Sequence, residues 1–283
     1  MYRAAALGLI VMSLALPAAA KMSVSQENAR IDALAARVAG DGTVREKTAR
    51  LVSWINHEFA WTATDYQQRT PEEIIERRGG NCADLARVLA RLLDAVHVRY
   101  RFVREINIQP DSAGREASAE KKIATDGVRF SVFGRRHNDH VWLEVLEAGT
   151  DRWIPADPAV GVVGVDEWIG ARLAFSERRQ PAVAAVVPIV ATMLEPFAVV
   201  VPASEDRSVH YLVEEFNRAY GGRLQSLPAW SRWAALVREL GPLSMRAFAG
   251  DLNLHEHAVK IAQAADTYEA LRQQAAAAGL KLR

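Results

Sequence analysis

Gly79-Gly80-Asn81-Cys82-Ala83-Asp84-Leu85 is the stretch from which the fold is read. From Cys82 onward, apolar residues recur at 82, 85, 86, 89, 92, 93 and 96, the 3.6-residue period of an amphipathic helix. Cys82 therefore opens a helix, with two flexible glycines leading into it. At such a position the unpaired amides and the positive end of the helix dipole favour a thiolate. The same amides can hydrogen-bond an oxyanion formed on an attacked carbonyl. The competing reading is a small buried hydrophobe on the inner face of its helix.

Upstream, Glu27 to Val38 places Ile31, Leu34, Ala35 and Val38 on one helical face. Thr43 and Glu46 form a capping box, followed by the apolar face Leu51, Val52, Ile55 and Phe59. Thr70-Pro71-Glu72-Glu73 starts a short helix whose inner side is Ile74 and Ile75, with Gly79 and Gly80 expected to end it.

Downstream the period changes from 3.6 to 2. Val98, Tyr100 and Phe102 alternate with arginines, and Val128, Phe130 and Val132 repeat the pattern beyond a polar loop at 109–125. The strands His140-Val141-Trp142-Leu143-Glu144-Val145 and Arg152-Trp153-Ile154-Pro155-Ala156-Asp157 flank the turn residues Ala148-Gly149-Thr150-Asp151. An antiparallel hairpin brings His140, near the start of one strand, beside Asp157, near the end of the next. Pro155 marks the second strand as an edge or as irregular. Taken singly, His140 reads as a structural histidine and Asp157 as a turn cap before Pro158. With Cys82 they form the set that thiol catalysis needs: a nucleophile, a base, and an acceptor that orients the imidazole.

Gly80-Asn81-Cys82 at a helix start, then the strand from His140 to Val145, then Trp153-Ile154-Pro155-Ala156-Asp157-Pro158, resembles the bacterial transglutaminase-like superfamily. The resemblance covers about residues 45 to 160 and lies in the order and helix–strand–strand context of the motifs. It implies a papain-like α+β core with Cys82 as nucleophile, His140 as general base and acid, and Asp157 as orienter. Asn81 stands where many members carry an acidic or small residue, and Val141 where alanine is common; neither removes a catalytic group. The side chain completing the oxyanion hole stays open among Asn56, Trp61, Tyr66 and Gln67.

The 283 residues carry 35 basic and 34 acidic side chains, so charge gives no reason to expect nucleic acid as partner. Cys82 is the only cysteine, which excludes an intrachain disulfide and a multi-cysteine metal site. Arg3, the apolar run Ala4 to Leu16 and the small residues Ala18 to Ala20 describe a secretory signal peptide over 1–20. A periplasmic or secreted location follows, without stable membrane insertion once the signal is removed. His137-Asn138-Asp139-His140 reads poorly as a metal cluster because neighbours on a strand point to opposite faces. His255-Glu256-His257 reads as solvated helical surface. Between 182 and 201 the chain is almost wholly apolar, but Pro188, Glu195 and Pro196 argue for buried strands or packing rather than a span. Val209, Leu212, Val213, Phe216 and Tyr220 form a helical stripe closed by Gly221-Gly222, and further stripes lie at 230–237 and 254–278.

The sequence thus predicts an α+β fold: a papain-like transglutaminase core, with the cysteine helix packed on an antiparallel sheet, and a helical C-terminal region. Its expected organisation is a signal peptide at 1–20, an N-terminal helical segment at 21–44, the core at 45–160 and a mainly helical extension at 161–283. The expected activity is hydrolysis of an amide in a protein or peptide through a thioester on Cys82, with no cofactor and no metal. The alternatives are a protein-glutamine transglutaminase and a non-catalytic binding module on the same fold. Substrate recognition is expected in 105–135 and 160–205.

Overall fold

Hydrogen bonds from cap residues set where each N-terminal helix begins. The computed structural model describes residues 23–62, 69–108, 138–177, 197–201, 205–249 and 253–282, with isolated positions between 109 and 137. The expected signal peptide, the strand at 128–132, Tyr66, Gln67 and His137 lie outside the described residues, as does most of the apolar run after 182. Helices α1 (Val24–Ala39), α2 (Val44–Glu58) and α3 (Pro71–Arg77) start at Ser23, Thr43 and Thr70. Each of these side chains accepts from the third helical amide, while Gln26, Glu46 or Glu73 reaches back to the cap. In α4 (Cys82–Ala95), Asn81 Oδ1 accepts from the amides of Ala83 and Asp84, both at 3.0 Å. A cap of this kind contributes about 1 kcal/mol, and here it also decides that the helix begins at the cysteine.

The expected glycine stop of α3 is not what forms. Arg78 takes the left-handed conformation (φ 58°) and ends that helix. Gly79–Gly80 instead form strand β2, parallel to β1 (Ala60–Trp61). A Cβ on Gly79 would lie 2.9 Å from the Ala60 carbonyl oxygen, and one on Gly80 would lie 2.5 Å from Asp84 Cβ. Close approach, of the Ala60 backbone at Gly79 and of the Asp84 side chain at Gly80, is what requires glycine here, rather than helix termination.

A six-stranded antiparallel sheet has the order β6-β5-β4-β3-β7-β8. Its strands are β3 (Tyr100–Asn107), β4 (Asn138–Leu146), β5 (Trp153–Asp157), β6 (Val162–Val163), β7 (Phe197–Val201) and β8 (Glu205–Asp206). β4 and β5 form the hairpin that the sequence predicts, with Leu143 opposite Ala156. β5 is not an edge, however, because β6 pairs with Ala156 and Asp157. Pro155 is tolerated because its carbonyl accepts from the Gly164 amide on the β6 side. The N–H it lacks points that way too, so no β4 ladder bond is lost.

Alternation along β4 separates two of the three cores of the described residues. Val141, Leu143 and Val145 pack with Leu85, Leu89 and Leu92 of α4 and with Leu51 and Ile55 of α2. Trp142 faces the other way, into a cluster with Trp168, Tyr211 and Trp233. The C-terminal region supplies that second core: α5 (Val165–Glu177), a π-helical turn at His210–Glu215, α6 (Phe216–Ala219), α7 (Trp230–Ala249) and α8 (Ala258–Ala277). It also contributes β7 and β8 to the sheet, beyond the helices expected of it. The wider π turn brings Tyr211 inward, a residue outside the 3.6-period stripe. Among the described residues no helix is long and apolar enough to cross a membrane.

Gly80→Ala should destabilise the fold by about 1–3 kcal/mol, because the new methyl group must displace Asp84 and its capping bond. Urea unfolding of the variant beside wild type measures this.

Candidate active site

Three elements converge on one buried cluster. The N-terminus of α4 carries Cys82, β4 carries His140 and the end of β5 carries Asp157. Cys82 is 1% exposed, and His140 and Asp157 are 0% exposed. His140 Nε2 lies 2.7 Å from Asp157 Oδ2. The other ring nitrogen, Nδ1, is buried without a hydrogen-bond partner, and the Cys82 sulphur is the remaining group that acts on the ring. One nitrogen is therefore spoken for by the carboxylate, and the other is left to the thiol.

Burial by itself would strip the proton from His140, but the Asp157 charge and hydrogen bond, helped by Cys82, outweigh it and raise the imidazole to about 10. The ring is then an imidazolium at neutral pH. Such a group can stabilise a thiolate and later deliver a proton to a leaving amine.

Asp157 is held by more than the imidazole. Its Oδ2 also accepts from Trp168 Nε1 at 3.2 Å, and its Oδ1 accepts from the Ala159 amide at 3.1 Å. The turn-capping bond and the bond to histidine thus coexist on one carboxylate. Trp142 stacks on His140 with ring centroids 5.5 Å apart, and Trp168 lies against Trp142 at 4.9 Å. These indoles keep water from the dyad and lower the local dielectric, which strengthens the charged pair. Nothing in the sequence around Trp168 signals this contact, since it depends on how α5 docks against β5.

The oxyanion candidates separate in the structure. Asn56 Nδ2 donates to the Pro158 carbonyl at 3.2 Å and is committed there. Trp61, opposite Gly80 in the β1–β2 pair, has a buried indole N–H without a hydrogen-bond partner. At the start of α4, the Ala83 and Asp84 amides are occupied by Asn81, so the Cys82 amide is the one left to an oxyanion. Arg104 on β3 is partly buried; burial lowers its guanidinium, and the Cys82 charge opposes that. Among the described residues no group of three or more His, Cys, Asp or Glu could hold a metal.

Residues 32–158 match the family model of the transglutaminase-like superfamily, a stretch that starts within α1 and ends just past Asp157. A solved structure from Cytophaga hutchinsonii, described there as a candidate cysteine protease, is similar at 18% identity with a TM-score of 0.33. That similarity covers 48% of this chain and 38% of that one, so this chain spans well under half of its length. No curated protein matches the chain.

The raised His140 makes stability depend on pH in a defined direction. Its folded value lies above the unfolded value of about 6.5, so its contribution is complete below that pH and is lost as pH rises toward about 10. The difference in unfolding free energy between wild type and His140→Gln should therefore shrink steadily between those limits. Urea titrations at several pH values measure it.

Proposed function

With residues 32–158 forming a transglutaminase-like core, we propose that this chain is an exported thiol enzyme that hydrolyses an amide bond in a peptide or protein. The observation that carries the reading is the buried His140–Asp157 pair, whose second ring nitrogen is left to a cysteine at a helix N-terminus. Export rests on the signal-like pattern of residues 1–20.

In this reading the Cys82 sulphur attacks the amide carbonyl, forming a carbon–sulphur bond and a tetrahedral oxyanion. The Cys82 amide and the unpartnered Trp61 indole N–H serve the oxyanion. As the carbon–nitrogen bond breaks, His140 passes its proton to the leaving amine. The neutral imidazole next takes a proton from water, whose oxygen attacks the thioester, and the thiolate is released. Asp157 keeps the ring oriented throughout, and Trp168 keeps Asp157 in place. Hydrolysis is favoured over transfer to a second amine because water requires no second binding site.

The 1% exposure of Cys82 supports a second reading, a binding module on the same fold in which the thiol is core. A chromogenic amide or activated ester, followed by intact-mass spectrometry, separates the readings. The thiol enzyme accumulates an acyl adduct on Cys82 and releases acid, whereas a transglutaminase transfers the acyl group to an added amine. A binding module forms no adduct while folded. His140→Ala should lower acylation by about 10²–10⁴-fold. Trp61→Phe, which keeps an aromatic ring and removes the indole N–H, should lower it by about 10²–10³-fold with the adduct still on Cys82.

A further inference from the structure

Arg104 is a charged group on the Cys82 side of β3 that the mechanism above does not use. On β3, Tyr100 and Phe102 pack against the cluster that contains α4, and Arg104 is the next residue in that alternation. Its cross-strand partner on β4 is Val141, which is buried in the same cluster as Cys82; on the other side β7 places Val200 opposite it. The guanidinium is partly buried, and Cys82 is the charge that acts on it. Among the described residues it has no carboxylate partner. Arg101 and Arg207 make the contrast, since both are ion-paired to Glu144.

A guanidinium carries five donors, and holding it partly out of water without a counterion costs free energy. Packing alone gives no return for that cost at this position, since an apolar side chain would suit a strand between Val141 and Val200. In the thiol-enzyme reading, Cys82 supplies the negative charge that acts on Arg104 before the sulphur reacts. Once the sulphur is acylated it becomes a neutral thioester, and Arg104 loses that charge. Asp157 does not replace it, because its oxygens are taken by His140, Trp168 and the Ala159 amide.

We propose that Arg104 forms an anion subsite beside Cys82 that holds a carboxylate of the substrate next to the carbonyl under attack. The substrates are then peptides with an acidic side chain or a free terminal carboxylate adjoining the scissile amide. Arginine suits this task better than lysine because its planar fork binds a carboxylate through two parallel hydrogen bonds. The inference rests on the thiol-enzyme reading of Cys82, and its test keeps the two apart.

Two electrophiles of similar size, anionic iodoacetate and neutral iodoacetamide, report the local charge at the single cysteine of the folded chain. The measured quantity is the ratio of their second-order rate constants in wild type, Arg104→Gln and Arg104→Lys. We expect the ratio to fall about tenfold in Arg104→Gln and by less in Arg104→Lys, which keeps charge but loses the fork. Iodoacetamide alone should stay within a fewfold of wild type. An unchanged ratio in Arg104→Gln, with Cys82 still reactive, overturns the subsite and leaves the thiol-enzyme reading standing. If neither electrophile modifies folded wild type, the thiol reading itself fails and the subsite with it. A second measurement needs no variant: glutarate should slow iodoacetamide alkylation of wild type relative to chloride at equal ionic strength. No slowing overturns the subsite.

Discussion

A carboxylate taken out of water must find its hydrogen bonds inside the protein, and two of the four fully buried carboxylates among the described residues, Asp157 and Glu144, tie much of this fold together. Asp157 collects its partners from three places: His140 on β4, the Ala159 amide in the turn that follows, and Trp168 on α5. Glu144, also fully buried, collects Arg101 from β3, Arg207 from the segment after β8, and Tyr211 from the π-helical turn. Both carboxylates sit on the β4–β5 hairpin. Each therefore ties the hairpin to chain that follows it.

The consequence is that the C-terminal region is built into the site. Trp142 lies beside His140 and donates its indole N–H to the Tyr211 oxygen at 3.2 Å. Burial, reinforced by the Glu144 charge, pushes the Tyr211 phenol well above its ordinary range, so it stays protonated and donates to Glu144 at 2.8 Å. A continuous path of rings and hydrogen bonds thus runs from the imidazole to Arg207 and Arg101. Removing one member of a buried network of this kind leaves an unpaired polar or charged group, so its bonds favour one geometry. Such a network suits a site whose histidine must hold one orientation relative to a sulphur atom.

The start of α4 shows the same economy on a smaller scale. Asn81 fixes the first turn, and in doing so it occupies the Ala83 and Asp84 amides that a bare helix terminus would offer to an oxyanion. The Cys82 amide stays available, and the parallel pairing of Gly80 with Trp61 brings the strand that carries an unpartnered buried indole alongside the approach to the cysteine. Gly79 permits that pairing because a Cβ there would strike the Ala60 carbonyl, and Gly80 leaves room for the Asp84 side chain.

What the sequence determined by itself was local. Capping boxes at Thr43 and Thr70, the amphipathic helix from Cys82 and the hairpin from His140 to Asp157 were legible because their signals lie within a few residues of one another. The mixed α+β class and the family resemblance followed from the order of those pieces. Only the tertiary structure decided that Gly79 and Gly80 pair as a strand, that β5 is covered by β6, and that Tyr211 turns inward on a widened helical turn. The same holds for Trp168 on Asp157 and Arg104 near Cys82, residues 11 and 22 positions away along the chain. Periodicity tells which side of an element is buried, but not which distant group meets it there. That is settled when the sheet closes over α4 and the remaining buried charges have to be matched.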